Sequence, residues 1–437
     1  MSRLMRAIVS RCDSELQAFR SKTYLSMINN TTRQDAPRRE LWLLLTLAGI
    51  QFTHILDFMI MMPLGPQFTQ LFGISDAKFG LLVSAYTLAA GASGLVASAY
   101  IDRFGRKRLL LVLYTLFALA TLACGLAPTY SSLMIARIAA GAFGGVLSAL
   151  SQTIVGDVIP FERRGRAMGI VMTAFSVASV AGVPAGLFLA ARFGWHAPFF
   201  AIAALSAVFA IFAALTLPVL TDHLKNSQRS SALERIGRVL TDANHLKAFS
   251  FSALLMFAGF VTVPYIAMNL QFTVGLSSEQ LPYVYLFGGI ATLVTARWFG
   301  SLSDSWGKVA TVRMLMISSV PVLFAVTLLP PGAALWLVFT TTTVLMIVMS
   351  GRMIPGMAIV TSAAHPELRG TFMSLNSALQ SGGMGIAAFV GGSLITRSPQ
   401  GQLQNYWMTA VVGSVSSLIA MCLVGRLNLR NPSQKAP

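Results

Sequence analysis

The stretch HILDFMIMMPLGP places one carboxyl group inside an otherwise apolar segment. Asp57 is the only acid well inside any of the long apolar segments of this chain. An ionised side chain at a bilayer centre costs about 2.5–3.5 kcal/mol on insertion scales, so such residues usually have a function. His54 lies one helical turn earlier on the same face. Because burial favours the neutral form of a carboxyl group, Asp57 is predicted to bind and release a proton; a wetted structural acid at the outer helix end is the alternative.

Two arginines also lie well inside apolar segments. Arg137, in RIAAGAFGG, is followed one turn later by Gly141, and glycines allow helices to approach closely. An intramembrane arginine must face protein or a water-filled cavity. A pair between Asp57 and Arg137 would form a switch, because protonation of the acid weakens the attraction. An arginine that bonds a helix carbonyl group is the alternative.

Arg352, in MSGRMIPGMAIV, has no acid within the apolar segments of its own half of the chain. It predicts an anionic group on a ligand or a pair with Asp57 across the halves, and a structural role at a helix interface is the alternative. Apolar segments rich in Met and aromatic residues supply further cavity candidates, since soft side chains adapt to ligands of several shapes. The candidates are Met61, Phe260 and Tyr265, with lipid-facing or core packing as the alternative.

The elements that must position these side chains are long apolar helices. The 437 residues are 55% hydrophobic and 11% charged, whereas a soluble domain is about 25% charged. Charge-free segments of about 20 residues can cross a bilayer as helices. The pattern predicts an all-α membrane protein with twelve spans, at 41–63, 79–101, 109–127, 131–156, 167–191, 197–219, 248–272, 280–301, 312–330, 333–360, 371–396 and 405–425.

The distribution of the cations predicts the orientation of these spans. Of 32 Lys and Arg residues, 26 lie at the termini or in the loops from even to odd spans. The opposite loops hold three, Lys78, Arg192 and Arg397, and three more lie inside spans. Cations concentrate on the cytoplasmic side of membrane proteins, so both termini are expected in the cytoplasm, with the protein in a bacterial inner membrane. The net charge of +17 therefore does not indicate a nucleic-acid partner.

The longest hydrophilic connection divides the spans into two groups. SALERIGRVL, within that connection, predicts a surface helix by its spacing, with a plain linker as the alternative. We expect a disordered basic tail at 1–40, a six-helix bundle at 41–220, a cytoplasmic linker at 221–247, a second six-helix bundle at 248–426 and a cytoplasmic tail at 427–437. SAYIDRFGRK in the first bundle matches FGSLSDSWGK in the second, and PFERRGRAMG matches PELRGTFMS. Such repeats place a substrate site near mid-membrane between the halves.

The loop after the second span carries the densest charge cluster of the chain. Asp102 and Gly105 have the spacing of a tight turn, in which the acid caps a helix and the glycine can adopt positive φ. Arg103 and Arg106 follow these residues closely, and Asp157 is the predicted partner of Arg106. The second copy of the turn contains Gly300, Asp304 and Gly307. We interpret the loop as a latch that joins helices on the cytoplasmic side in one state.

DRFGRKR after an apolar helix resembles the signature loop between helices two and three of the major facilitator superfamily. The resemblance covers residues 40–426, although Ser98 stands where the family usually has a glycine. It implies that Asp102, Gly105 and Arg106 form the gate latch. The span-one stretch resembles the motif of drug:proton antiporters, whose acid is linked to proton exchange. Arg137 and Gly141 have the form of the family's span-four motif, which is implicated in proton transfer.

The fifth span carries a different pattern from the drug:proton antiporters. Its sequence GVPAG, with Gly182, Pro184 and Gly186, resembles the bacterial sugar, nucleoside and arabinose efflux branch more closely. Together these features predict proton-coupled efflux of small organic molecules such as drugs or sugars by alternating access, in a monomer without cofactor or metal. An uptake symporter on the same fold is the alternative. The sequence has no nucleophile elbow, histidine-rich metal set or nucleotide loop, and His54 and Asp57 are too few for metal-dependent hydrolysis, so an enzyme is not expected. The duplicated latch disfavours a channel.

Overall fold

The computed structural model describes residues 40–100, 104–159, 163–218, 232–365 and 368–429. These residues are almost entirely helical. In chain order the helices are α1 (Glu40–Ile60), α2 (Gly65–Phe72), α3 (Asp76–Tyr100), α4 (Arg106–Gly125), α5 (Tyr130–Val158), α6 (Arg164–Val177), α7 (Val183–Phe193), α8 (His196–Thr216), α9 (Ala232–Thr241), α10 (Ala243–Phe260), α11 (Ile266–Met268), α12 (Leu281–Trp306), α13 (Lys308–Thr327), α14 (Leu335–Gly351), α15 (Met353–Ala363), α16 (Arg369–Leu394) and α17 (Trp407–Val424).

Within this described part, ten helical segments are long and apolar enough to cross a membrane. Two further helices, α12 and α16, are not among these ten segments. Each has 26 residues, which is about 39 Å at 1.5 Å per residue. Large apolar side chains on the outer surface remain exposed, including Ile135, Leu215 and Val294. A surface of this kind suits lipid, so the membrane prediction is confirmed. The count of twelve spans and their division into two bundles stay predictions.

Helix contacts connect the N-terminal part (residues 40–218) with the C-terminal part (residues 243–429). Within the first part α5 packs on α3 and α4, and within the second α10 packs on α16 and α17. The most extensive contact of the molecule joins α3 to α16, and a second one joins α7 and the segment before it to α12. The two parts are therefore held together along two opposite seams.

Several predicted spans are interrupted where the sequence suggested continuous helices. The span predicted at 248–272 contains α10, a 3₁₀ turn over Val263–Tyr265, α11 and a π-helical segment over Asn269–Val274. The span predicted at 333–360 breaks at Arg352, between α14 and α15. Pro264 and Pro355 explain these breaks, since proline lacks the N–H that continues a helix. In the fifth span a π-helical segment, Ala178–Gly182, precedes Pro184.

The connections differ from prediction at two places. The surface helix predicted within the linker is present as α9, but α10 already begins at Ala243, whereas the span was predicted from 248. Asp242 explains the earlier start, since its carboxylate accepts hydrogen bonds from the backbone N–H groups of Asn244 and His245. After α16 a short hairpin that was not predicted pairs β1 (Thr396–Arg397) with β2 (Leu403–Gln404).

Candidate functional site

A cavity of about 700 Å³ lies between the N-terminal and C-terminal parts. Its walls come mainly from α3, α5 and α16, with two residues each from α1 and α9 and one from α15. The volume lies within the range of about 300–1,000 Å³ that is usual for ligand pockets. The polar side chains of the wall include His54, Tyr86, Thr87, Ser148, Gln152, Thr153, Ser374, Asn376, Ser377, Gln380 and Ser381.

The cavity extends toward the side of the molecule that carries the loops predicted to be cytoplasmic, here called the basic side. Its lining reaches Ala97 near the end of α3, Arg235 on α9 and Gly370 at the start of α16. Helix α9 therefore stands at the cavity mouth. The described residues leave the cavity open toward the basic side in this conformation.

On the opposite side an ion pair between the two parts, the outer clamp, joins Asp76 to Arg397. Arg397 Nε lies 2.9 Å from Asp76 Oδ2, and Nη2 lies 2.7 Å from Oδ1. Asp76 is buried in the first turn of α3, where the helix dipole also favours a negative charge. The guanidinium group stands 4.7 Å from the ring centre of Phe272. This bidentate geometry is the strongest form of an arginine–carboxylate pair.

Close backbone contacts seal the two parts below the outer clamp. Ser84 Oγ donates a hydrogen bond to the carbonyl oxygen of Gly385 at 2.6 Å. A Cβ atom on Gly80 would lie 2.6 Å from the carbonyl oxygen of Ala388, and one on Gly392 would lie 2.5 Å from that of Asp76. Only glycine permits α3 and α16 to approach this closely. The cavity is thus closed on the side away from the basic loops.

The predicted pair between Asp57 and Arg137 is present. Arg137 Nη1 lies 2.8 Å from Asp57 Oδ2 and 3.3 Å from the carbonyl oxygen of Asp57. Both side chains are completely buried, and the guanidinium group lies 4.2 Å from the ring centre of Tyr86. The pair does not contribute to the cavity wall. It lies behind the wall, within the N-terminal part.

His54 lies between this ion pair and the cavity. Its ring is part of the cavity wall, and neither ring nitrogen has a hydrogen-bond partner among the described residues. Gly144 leaves room for the ring, since a Cβ atom there would lie 2.4 Å from His54 Cδ2. His54 is thus one helical turn from the buried acid and in contact with the cavity. A residue that transfers protons between Asp57 and the cavity requires this position.

Glycines on α5, the helix that carries Arg137, allow it to pack closely on α3. A Cβ atom on Gly141 would lie 2.3 Å from the carbonyl oxygen of Tyr86, and one on Gly145 would lie 2.3 Å from that of Ala90. Backbone atoms cannot yield as a flexible side chain can, so α5 requires glycine at both positions to reach α3. The close approach predicted for Gly141 is confirmed.

The predicted partner of Arg106 is also confirmed. Arg106 Nε lies 3.0 Å from Asp157 Oδ2, and Arg106 is buried. Asp102 and Arg103 lie outside the described residues. Gly105 has φ −61°, so the positive φ predicted for this turn is wrong. It precedes α4 in an extended conformation, which any residue can adopt.

The second copy of the turn does have the predicted backbone shape. Gly307 joins α12 to α13 with φ +94°, which favours glycine. Asp304 is exposed in the last turn of α12 and Gly300 lies in the same helix, with open space around it. Gly105 and Gly307 therefore differ in backbone conformation, and the acid of the second copy lies within the helix end.

The four predicted cavity residues do not line this cavity. Arg352 is buried, with Nη2 3.0 Å from the carbonyl oxygen of Leu255 and Nη1 3.4 Å from Ser417 Oγ, which is the structural alternative. Met61 is buried in the apolar core, and the Tyr265 hydroxyl group donates to the carbonyl oxygen of Ala388. Apolar packing and backbone bonds hold these side chains away from the open space.

Phe260 contacts the cavity only through another ring. It stacks on Phe58, which lines the cavity, with ring centres 5.9 Å apart. In the fifth span, Cβ atoms on Gly182 and Gly186 would lie 2.9 Å from Leu56 and 2.7 Å from Ile60. The glycines that flank Pro184 therefore serve the packing of this span on α1.

Three groups of residues in this structure were not predicted from the sequence. The outer clamp was not predicted because its two residues are 321 positions apart. The only sequence signal for it is Asp76, an acid close to the start of a predicted span. The cavity amides of Gln152, Asn376 and Gln380 lie within predicted spans, and this could have indicated them. Two histidines, His245 and His365, also join Asp242 near the basic side, with ligand atoms within 4.8 Å of one another.

Hydrogen bonds account for this histidine cluster. His365 Nε2 lies 3.0 Å from Asp242 Oδ2, and His245 Nε2 accepts the backbone N–H of His365 at 3.2 Å. His245 Nδ1 faces the carbonyl oxygen of Val239 at 3.3 Å. The cluster therefore ties α9 and α10 to the loop before α16.

Comparisons with known proteins agree with this architecture. The sequence profile of the Major Facilitator Superfamily matches residues 47–388. The MFS-type transporter YtbD of Bacillus subtilis is 27% identical over 342 residues, which cover 77% of this chain and 84% of YtbD. Multidrug resistance protein 2 of the same organism is 24% identical over 287 residues, covering 64% and 71% of the two chains.

Solved structures share the fold at low identity. A D-xylose–proton symporter superposes with a TM-score of 0.70 at 16% identity, covering 87% of this chain and 96% of that one. A bacterial homologue of the human lysosomal transporter Spinster, in an inward-facing and unoccupied conformation, gives a TM-score of 0.68 at 16% identity and covers 90% and 99%. The chain belongs to the Major Facilitator Superfamily and is a membrane transporter, not an enzyme.

Proposed function

We propose that this transporter exports small organic molecules in exchange for protons, with Asp57 as the proton-binding group. The observation that carries the proposal is the buried ion pair of Asp57 and Arg137, one helical turn behind the cavity residue His54. A buried carboxylate is stable only while its partner compensates its charge. Proton binding at Asp57 removes that attraction and leaves Arg137 to rearrange.

The open and closed ends of the cavity support alternating access. The basic side is open to the cavity, whereas the outer clamp and the glycine contacts of α3 and α16 close the opposite side. Movement to an outward-open state requires the Asp76–Arg397 pair to separate. In that state the latch on the basic side, which includes Arg106 and Asp157, would bring the cytoplasmic helix ends together.

The proton route supports coupling without direct contact between proton and substrate. Asp57 is absent from the cavity wall, and His54 is part of it. Proton transfer between the cavity and Asp57 therefore passes His54. Export is favoured over uptake because Multidrug resistance protein 2 is among the relatives with similarity over most of this chain. Uptake by a symporter is the alternative outcome of the test.

The test uses purified transporter reconstituted in liposomes with an internal pH dye and an imposed proton gradient. Compounds from a library are added to the side of the membrane from which export would start. Compounds that dissipate the proton gradient, measured by the internal dye, are recorded. We expect Asp57→Asn to abolish compound-dependent proton flux and Glu279→Gln, at an exposed turn, to retain it. Unchanged flux in Asp57→Asn would contradict the proposal, and compound accumulation down the proton gradient would indicate symport.

A further inference from the structure

The charge of the cavity wall gives information on the substrate class. We infer that the cavity binds an uncharged, hydrogen-bonding molecule with one flat apolar face, and that it rejects organic cations. This assignment rests on the proposed transport function, since it takes the cavity as the substrate site. It concerns binding only and does not depend on the proton carrier.

The described part of the wall has no carboxylate. Asp57 is completely buried behind it, paired with Arg137. Arg235 is the single permanently charged residue among the described lining positions, and it is exposed on α9 at the mouth. The deeper wall therefore offers no counter-charge of either sign. An ion that leaves water for a site without a counter-charge loses hydration free energy that neutral hydrogen-bonding groups do not fully replace.

Amides and hydroxyl groups line one side of the cavity. Asn376 is 1% exposed and its Oδ1 has no hydrogen-bond partner among the described residues, although Asn376 is part of the wall. Gln380 Nε2 donates to Ser252 Oγ at 2.7 Å, which fixes the orientation of that amide. An unpartnered buried acceptor costs free energy, and a ligand hydroxyl or N–H group would satisfy the Asn376 oxygen.

The aromatic rings of Phe58 and Tyr86 form a second part of the cavity wall. Phe58 stacks on Tyr86 with ring centres 5.5 Å apart, and both belong to the cavity wall. Phe260 supports Phe58 from behind. A stacked aromatic surface in the same cavity as the amides of Asn376 and Gln380 suits a ring-shaped molecule that has an apolar face and hydrogen-bonding groups on its edge.

The first test measures binding of a permanent organic cation, tetraphenylphosphonium, to the purified full-length transporter. We expect wild type to show no saturable binding up to the highest concentration tested, whereas Gln152→Glu should reach half-saturation at a concentration at least ten-fold lower than that limit. Gln152 lies on the wall of α5 and is exposed there, so a carboxylate at this position is hydrated and tolerated. Gln404→Glu adds the same charge on the outer hairpin and should leave binding as in wild type.

Two results of this test would overturn the inference. One is saturable tetraphenylphosphonium binding to wild type, since the cavity would then accept an organic cation; its loss in Asp57→Asn would identify the buried acid as the counter-charge. The other is a folded Gln152→Glu variant that binds no better than wild type, since charge would then not determine selection.

The second test screens uncharged saccharides and nucleosides beside organic anions by thermal shift. We expect stabilisation by uncharged compounds, and at least a ten-fold loss of affinity in Asn376→Leu. Stabilisation by anions alone, dependent on Arg235, would contradict the inference. Failure of this assignment leaves the Asp57-dependent proton flux intact, whereas failure of the proposed function removes that flux but leaves the binding selectivity unchanged.

Discussion

At the residue scale, the main feature is a charge pair with no access to water. Asp57 and Arg137 are both completely buried, and removal of one partner of such a pair costs about 3–5 kcal/mol. The two partners differ, however, because a carboxyl group can become neutral by taking up a proton, whereas a guanidinium group stays charged. The unpaired arginine is therefore the more unfavourable remnant.

This difference predicts unequal effects on stability. We expect Asp57→Leu to lower the free energy of unfolding more than Arg137→Met does, and the double variant to recover much of the loss. Denaturant unfolding in detergent micelles measures all three. Equal losses in the single variants, with additive loss in the double variant, would show that the pair does not interact in the way described.

A second prediction at this scale concerns glycine on α5. Gly141→Ala would place a methyl group 2.3 Å from the carbonyl oxygen of Tyr86, and overpacking of this kind costs about 1–3 kcal/mol. Gly156→Ala on the same helix has no atom within 4 Å of the new methyl group and should be neutral or stabilising. Thermal unfolding of the two variants makes the comparison, and equal melting temperatures would contradict the packing argument.

At the element scale, the outer clamp determines how α3 and the hairpin after α16 stay together. Arg397→Gln removes the ion pair with Asp76 and the ring contact with Phe272, so the outer side should open more often. Ser84, buried below the clamp, reports this opening when it is replaced by cysteine in a chain that lacks its three native cysteines.

We expect a membrane-impermeant maleimide to label Ser84→Cys several-fold faster in the Arg397→Gln variant. Arg192→Gln removes another exposed cation predicted on the same side of the membrane and serves as the control. Labelling rates that do not differ between Arg397→Gln and the control would show that the clamp does not close the outer side.

The helices and their contacts also show how much of the structure could be predicted from the sequence. Charge-free lengths and cation placement predicted the membrane helices. Isolated charges predicted the Asp57–Arg137 pair, and the charged loop after the second span predicted the Arg106–Asp157 pair. The breaks near Pro264 and Arg352 were missed because hydropathy does not respond to a lost hydrogen bond. The outer clamp was missed because it depends on the assembly of distant helices. A sequence also does not show which side of the cavity is closed.

At the scale of the whole molecule, the basic side and the opposite side differ in the contacts that join the N-terminal and C-terminal parts. The side away from the basic loops is sealed by one ion pair and by glycine contacts, whereas the basic side is open between α3, α5 and α16. The buried pair of Asp57 and Arg137 lies within the N-terminal part, next to helices that contact both regions. In the proposed function, protonation of Asp57 changes the balance between two arrangements of the same helices.

The central claim is that proton binding at Asp57 changes this balance. It is tested most directly by the distance between spin labels at Lys78 and Gln400, which are exposed on opposite parts of the outer side. Pulsed electron paramagnetic resonance should show that acidification populates a longer distance in the wild-type background, and that Asp57→Asn abolishes this response. An acid-induced shift of the same size in Asp57→Asn would contradict the account.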